Sequence, residues 1–167
     1  QGAAIQKELS ENDIEWYPVP YSNNLPGISA FLTYNRLLKK AWQLQREEAF
    51  HIVHCRSYIP SLIGLQMKRK LGVKFIFDMR GFWADERVEG GIWNLSNPLY
   101  RKAYDFFKKK EKEFLQESDA IISLTISGSN EIIARRDLQP ISKKINVIPC
   151  CADQDLFSQD HLDAKKQ

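Results

Sequence analysis

Short apolar runs of four to six residues alternate along this chain with longer stretches in which apolar side chains recur every three or four positions. The first pattern belongs to buried strands, the second to helices with one apolar face. Residues Ala3 to Asn12 read as the last turns of a helix, with Asn12 as its stop. Ile14 to Val19 alternate weakly, include Trp16 and Tyr17, and predict a first strand that Pro18 and Pro20 either place at a sheet edge or end early. Tyr21 to Gly27 is punctuated by Asn, Pro and Gly and predicts a loop. Ser29 can cap a helix to about Glu48, with Phe31, Leu32, Leu38, Trp42 and Leu44 on its apolar face. His51 to Arg56 is a second strand centred on Ile52 and Val53. A helix opened by Pro60 follows. Leu62, Ile63, Leu65, Met67 and Leu71 line it, and Gly72 stops it.

Lys74 to Met79 is almost uninterruptedly apolar and predicts a third, buried strand. The 18 residues from Arg80 to Asn97 then lack a helical pattern. Connections of that length are uncommon in compact domains and tend to be functional or disordered. This one carries Phe82, Trp83 and Trp93 and is too aromatic for disorder. With the charges Arg80, Asp85, Glu86, Arg87 and Glu89 and the flexible Gly81, Gly90 and Gly91, it suits a binding loop held by a rigid sheet. Asn97 and Pro98 begin a helix to Glu117, in which Leu99, Ala103, Phe106, Phe107, Phe114 and Leu115 recur at helical spacing. Ala120 to Leu124 is a fourth strand. Ser127 can cap the next helix, with Glu131 closing the box, and that helix runs to Asp137. Ile145 to Ile148 is a fifth strand, ended by Pro149.

Strands alternating with helices imply a parallel sheet covered on both faces. The expected fold is therefore α/β, a Rossmann-like doubly wound domain over residues 1–157, with a polar tail at 158–167 that frays. Ligands of such sheets sit beyond the carboxyl ends of the strands. Three segments belong on that rim: Cys55-Arg56-Ser57-Tyr58, Arg80-Gly81-Phe82-Trp83 and Thr125-Ile126-Ser127-Gly128-Ser129.

A length of 167 residues suits one domain with a real core. A net charge of +3 does not by itself argue for nucleic acid. No apolar run approaches the ~18–20 residues that cross a bilayer. No signal peptide is legible, and the start reads as truncated. The three cysteines, Cys55, Cys150 and Cys151, are odd in number and two are adjacent, which disfavours a disulfide framework. Their spacing fits no zinc pattern, so no metal is expected. Reduced thiols at strand ends suit a cytoplasmic protein, with a redox or metal role as the alternative.

With the rim segments in order, the chain resembles the amino-terminal, acceptor-side domain of GT-B glycosyltransferases, specifically the retaining, nucleotide-sugar-dependent enzymes of the group 1 type. His51-Ile52-Val53-His54-Cys55-Arg56-Ser57 is similar to that family's "D-I-V-H-x-H" strand. Phe75-Ile76-Phe77-Asp78-Met79-Arg80-Gly81 is similar to its "v-x-T-x-H-D" strand end. Glu111 to Leu115 with Ser118-Asp119-Ala120 to Thr125 is similar to "E…A-D-x-V-I-x-x-S". Ile145-Asn146-Val147-Ile148-Pro149-Cys150-Cys151-Ala152-Asp153, with Phe157, is similar to "I-x-V-I-P-N-G-V-D…F". Arg80 falls where many members keep a histidine near the transferred sugar, and Cys150-Cys151 replaces Asn-Gly. The family's first strand with its Gly-rich loop, and its donor-binding second domain, have no counterpart in this sequence.

The resemblance implies half an enzyme: the acceptor-binding half of a glycosyltransferase that moves a sugar from a nucleotide-sugar donor to a cell-envelope or polysaccharide acceptor. It implies no resident cofactor, a carboxy-terminal partner domain, a glycan or lipid-linked acceptor, and inactivity of the fragment alone. On that reading Arg80 is the candidate catalytic residue. Arg56, Ser57, Gly81, Phe82, Trp83, Asp85, Glu86, Thr125 and Ser127 are candidate substrate-binding residues. Each has a plainer role open to it. Arg80 offers a five-donor fork to a hydroxyl or phosphate oxygen, or pairs with Asp85 or Glu86. Trp83 and Trp93 stack on sugar or pin the loop. Asp85-Glu86 bonds acceptor hydroxyls or is a solvated pair. Ser127-Gly128-Ser129 holds an anion or only caps a helix. His54 is a core or rim histidine.

Arg101, Lys102, Lys108, Lys109, Lys110 and Lys112, with Phe106 and Phe107 beside them, either dock on the inner face of an anionic membrane or form a solvated charged face. The missing strand leaves a gap between the Ile14 and His51 strands. Those two then pair directly, or self-association fills the gap. The rival from another class is a stand-alone sugar- or phosphate-binding Rossmann-like module. A nucleotide-sugar epimerase or dehydrogenase would want G-x-G-x-x-G at the first strand, and none is present. All of this requires parallel strands that bring Arg56, Arg80 and Ser127 to one rim.

Overall fold

A computed structural model describes residues 2–20 and 28–151 of the chain. The loop expected at Tyr21 to Gly27, the tail at 158–167, and Ala152, Asp153 and Phe157 lie outside the described residues. The chain divides into two units, Gln1–Ala49 and Phe50–Gln167.

The first unit holds α1 (Gly2–Glu11) and α2 (Ile28–Glu48). Asn12 stops α1 as expected, its side-chain amide donating to the Glu8 carbonyl at 2.9 Å. The strand expected over Ile14 to Val19 is not formed. Pro18 and Pro20 withhold two of the donors a ladder needs. The segment's contacts go to α2 instead: Arg36 Nη1 donates to the Pro20 carbonyl at 3.2 Å, and Lys40 Nζ sits 4.5 Å above the Tyr17 ring. Ser29 lies inside α2 rather than capping it.

The second unit is a four-stranded, wholly parallel sheet of β1 (Ile52–Arg56), β2 (Lys74–Asp78), β3 (Ala120–Ser123) and β4 (Ile145–Val147), in the order β1-β2-β3-β4. Its helices are α3 (Tyr58–Leu71), α4 (Trp83–Glu89), α5 (Pro98–Glu117) and α6 (Ile126–Ile133), with a 3-10 turn at Ser142–Lys144. Every crossover steps to the neighbouring strand in the same direction. Right-handed connections then put α3, α5 and α6 on one face, and within this unit it is that face the helices cover. Phe75, Phe77 and Ile121 point into it and are fully buried with Tyr58, Phe114, Leu115 and Ile132.

Local chemistry sets the helix ends. Gly72 stops α3 in the left-handed region, its amide bonded to the Lys68 carbonyl. Asn97 Oδ1 accepts from the Leu99 amide, and Pro98 follows at the first helical position. The α6 cap is Thr125, not Ser127: its extended backbone aims Oγ1 at the Gly128 amide, 3.0 Å away. α6 also ends at Ile133, short of Asp137. α3 starts at Tyr58, two residues before Pro60, whose missing N–H costs nothing within the first turn. The long connection after β2 contains α4, with Asp85 and Glu86 in its first turn, where the helix dipole favours acids.

At the amino-terminal end of the sheet, Asp119 latches β2, β3 and α3 together. Its Oδ2 accepts from the Phe75 amide at 2.9 Å and from Lys68 Nζ at 2.5 Å, and its Oδ1 pairs with Lys74 at 3.2 Å. Burial alone would raise this carboxyl, but these hydrogen bonds outweigh it and hold it down at about 2. Gly64 lies where α3 presses on β1 and β2: a Cβ there would meet Cys55 Sγ at 2.5 Å and Phe75 Cδ2 at 2.9 Å.

Two outcomes follow. Gly64→Ala gains helix propensity of about 1 kcal/mol but overpacks a site with no free side to move into. We expect a net loss of about 1–3 kcal/mol in urea unfolding. Because the folded Asp119 pKa is depressed, its contribution is complete above the unfolded carboxyl value of about 3.9 and is lost as pH falls toward about 2. Asp119→Asn should lower stability at neutral pH and flatten the acid limb of a melting-temperature profile over that window.

Candidate functional site

Parallel strands deliver the ends of β1, β2 and β3 to one rim. The pairing continues past the strands: the Ser57 amide donates to the Asp78 carbonyl at 2.7 Å, Met79 to Ile122 at 3.0 Å, and Ile148 to Ser123 at 2.9 Å. Immediately beyond these bonds the chain turns through the left-handed region at two non-glycine residues, Ser57 (φ 70°) and Arg80 (φ 62°). Such backbone costs free energy and concentrates at functional sites.

A cleft of about 190 Å³ lies between the β2 and β3 ends. Arg80, Gly81, Phe82 and Glu86 line one side, and Ser123, Leu124, Thr125 and Gly128 the other, with Met79 and Ile132 also contributing. Five candidates from the sequence thus converge: Arg80, Gly81, Phe82, Glu86 and Thr125. Gly81 permits the approach of Glu86, whose Oε1 would overlap a Cβ at that position. Arg80 pairs with neither Asp85 nor Glu86. Its Nη2 donates to Cys150 Sγ at 3.1 Å, across from the end of β4.

The other five candidates stand outside the cleft lining. Arg56 is exposed on the opposite sheet face, in register with Asp78. Ser57 makes the rim turn, and Ser127 is exposed on the first turn of α6. Trp83 joins an aromatic cluster: it stacks on Tyr58 at 5.7 Å, meets Phe107 edge-on at 4.8 Å and Trp93 at 5.4 Å, and carries the Arg87 guanidinium 4.4 Å over its ring. Trp93 stacks on Phe107 at 6.1 Å. These contacts occupy the two indoles in pinning the loop. Asp85 is likewise engaged, accepting from Tyr104 at 2.7 Å and Lys108 at 2.8 Å.

Beneath the loop lies a group the sequence did not single out as central. Glu111 on α5 is 0% exposed. Its Oε2 accepts from the Tyr58 hydroxyl, and its Oε1 accepts from Lys108 at 2.8 Å and from Arg135. Burial first, and then the Glu111 charge, push the Tyr58 hydroxyl far above its ordinary range. Burial works against the charge on Lys108, but its bonds to Asp85 and Glu111 outweigh that and hold it charged. The carboxylate thereby joins α3, α5 and the segment after α6, and through Lys108 it reaches α4. On the far face of β2, Asp78 is only 7% exposed. His54 Nε2 lies 3.5 Å from its Oδ2, while its Oδ1 has no partner among the described residues.

The expected basic face of α5 is partly consumed internally. Lys108 goes to Asp85 and Glu111, Lys110 to Glu113 and Lys112 to Asp137. No cluster of three or more His, Cys, Asp or Glu suited to a metal occurs among the described residues. No helix among them is long and apolar enough to cross a membrane.

Removing one partner of a buried charge should be expensive. Tyr58→Phe takes a hydrogen bond from a charged acceptor and should cost about 1.5–3 kcal/mol. Glu111→Ala leaves a cavity and an unpaired Tyr58 hydroxyl, while Lys108 keeps Asp85 and Arg135 keeps Asp137, and should cost about 2–5 kcal/mol. Urea unfolding measures both, and a red shift of tryptophan emission should accompany loosening around Trp83 and Trp93.

Among solved structures, the fold is similar to sucrose-phosphate synthase from Thermosynechococcus elongatus, at a TM-score of 0.58 and 16% identity. The similarity covers 86% of this chain and 33% of that one, so the chain spans about a third of that protein's length. No curated protein matches the sequence. Residues 3–156 match the family model described as Glycosyltransferase Family 4. That match takes in both units, the rim and the cleft, and the chain belongs to Glycosyltransferase Family 4.

Proposed function

We propose that this chain is the acceptor-side half of a retaining glycosyltransferase, which moves a sugar from a nucleotide-sugar donor to a cell-envelope or polysaccharide acceptor. The observation that carries the reading is the convergence of Arg80, Phe82, Glu86 and Thr125 on one cleft at the carboxyl ends of the strands. Their chemistry suits a polyhydroxylated ligand. Glu86 accepts from hydroxyls, Thr125 donates and accepts, Phe82 offers a flat apolar face, and Arg80 supplies fixed positive charge. Charge developing on a leaving diphosphate is met by preorganised donors, here the Arg80 guanidinium and the first-turn amides of α6.

The donor is held chiefly by a carboxy-terminal domain that closes over this rim, as in the family it resembles. Alone, the chain binds a nucleotide sugar weakly and does not turn over. The nucleotide sugar is a substrate and the site needs no resident cofactor. Catalysis occurs on the cytoplasmic side, at the inner face of the membrane when the acceptor is lipid-linked. Support for that contact comes from α5, where Leu99, Lys102, Phe106 and Lys109 fall on one stripe, with Leu99 72% and Phe106 46% exposed. Apolar side chains between cations suit the surface of an anionic bilayer.

Two measurements test this reading. Saturation-transfer NMR with acceptor oligosaccharides should detect binding that falls about tenfold in Arg80→Ala or Phe82→Ala, a loss of about 1.4 kcal/mol. Turnover, or micromolar donor affinity, with this chain alone would refute the half-enzyme reading. Tight binding of a free sugar phosphate without any requirement for a second domain would favour a stand-alone module. In flotation assays, vesicles rich in phosphatidylglycerol should carry the chain up the gradient and pure phosphatidylcholine should not. The double variant Leu99→Ser, Phe106→Ser should abolish the difference.

A further inference from the structure

Cys150 and Cys151 are adjacent in sequence, both reduced, and both exposed on the segment leaving β4. Cys150 Sγ accepts a hydrogen bond from Arg80 Nη2 at 3.1 Å. Cys151 Sγ lies 3.7 Å from the Pro149 carbonyl. The third cysteine, Cys55, is buried against α3, and burial pushes its thiol up to about 11. The chain thus carries one inert thiol and one accessible pair, with a permanent cation beside one member of the pair.

We infer that Cys150-Cys151 is a reversible thiol–disulfide modification site, entered at Cys150 and steered by Arg80 toward anionic low-molecular-weight disulfides. In the first step the Cys150 thiolate attacks one sulfur of a disulfide RSSR. The S–S bond of the reagent breaks, RS⁻ leaves with the electron pair and takes a proton from water, and a mixed disulfide remains on Cys150. In the second step Cys151, having given its proton to solvent, attacks Cys150 Sγ and expels a second RS⁻. Two protein thiols are oxidised to one disulfide, and one RSSR is reduced to two RSH. Exchange of this kind needs an accessible attacking sulfur and a resolving sulfur within reach, and adjacent residues supply both.

The product is labile by geometry. Neighbouring Cα atoms stand about 3.8 Å apart across a trans peptide, closer than the usual disulfide span of about 4.4–6.8 Å. A bond formed under that constraint is readily reduced, which suits a switch rather than a staple. Closing the ring converts the sulfur that Arg80 contacts at the mouth of the cleft from a thiol to a disulfide. The inference rests on the two thiols and Arg80 and does not depend on what the cleft binds.

The test treats the purified chain with glutathione disulfide, which is anionic, or cystamine, which is cationic, and follows intact mass and peptide maps. We expect loss of two hydrogen atoms without a lasting adduct, a 150–151 linkage, and reversal by dithiothreitol. Cys151→Ser should trap one glutathione on Cys150, and Cys55 should react only after unfolding. Arg80→Ala should slow glutathione disulfide and speed cystamine, each roughly fivefold, the effect of one charge about 4 Å away in water. Arg80→Lys should keep the wild-type preference. Stable adducts on both cysteines, reaction of native Cys55 at the rate of Cys150, or a shift of both reagents in the same direction on loss of Arg80 would each overturn the proposal.

Discussion

The buried Glu111 carboxylate is the constraint around which the second unit is arranged. An ionised carboxyl cannot be taken from water without donors on both oxygens. Tyr58, Lys108 and Arg135 provide them from α3, α5 and the segment after α6. Lys108 is shared with Asp85, so the position of α4 is set by the same charge balance. A hydrophobic core alone would tolerate some sliding of these helices. A network whose donors are tied to fixed acceptors on several elements does not.

That rigidity is what the rim needs. The aromatic cluster of Tyr58, Trp83, Trp93 and Phe107 lays α4 over the buried carboxylate and leaves Arg80, Phe82 and Glu86 facing the cleft. The loop divides its residues cleanly between these tasks. Its indoles and Asp85 face the protein, while the residues just before α4 and one on its first turn line the cleft. Backbone strain at Ser57 and Arg80 is sustained because the sheet bonds that lead into those turns are intact.

The parallel sheet was legible because short apolar runs bounded by turn signals alternate with longer stretches of helical spacing. Gly72 and Asn97-Pro98 were legible because their roles need no tertiary information. The failures have equally local causes. Ile14 to Val19 looked like a strand from its side chains, yet its prolines remove ladder donors and α2 takes its contacts. Thr125 and Ser127 are equally good caps on paper, and only the extended backbone at Thr125 decides between them. α4 is a two-turn helix whose pattern is too short to register. Glu111 entered the sequence reading only as the first position of the E…A-D pattern, because its decisive partners lie 53 and 24 residues away. The Arg80–Cys150 contact spans 70 residues and left no local signal at all.

The strand order has a consequence for how the polypeptide is born. Each strand of the second unit pairs with the one synthesised just before it, so the sheet grows outward from β1 by single additions. No strand must wait for a later one to be inserted between it and its predecessor. Each closure spans a single crossover between neighbouring strands rather than a return across the sheet. A chain emerging from the ribosome can therefore lay down its hydrogen-bonded layer in the order in which it is translated.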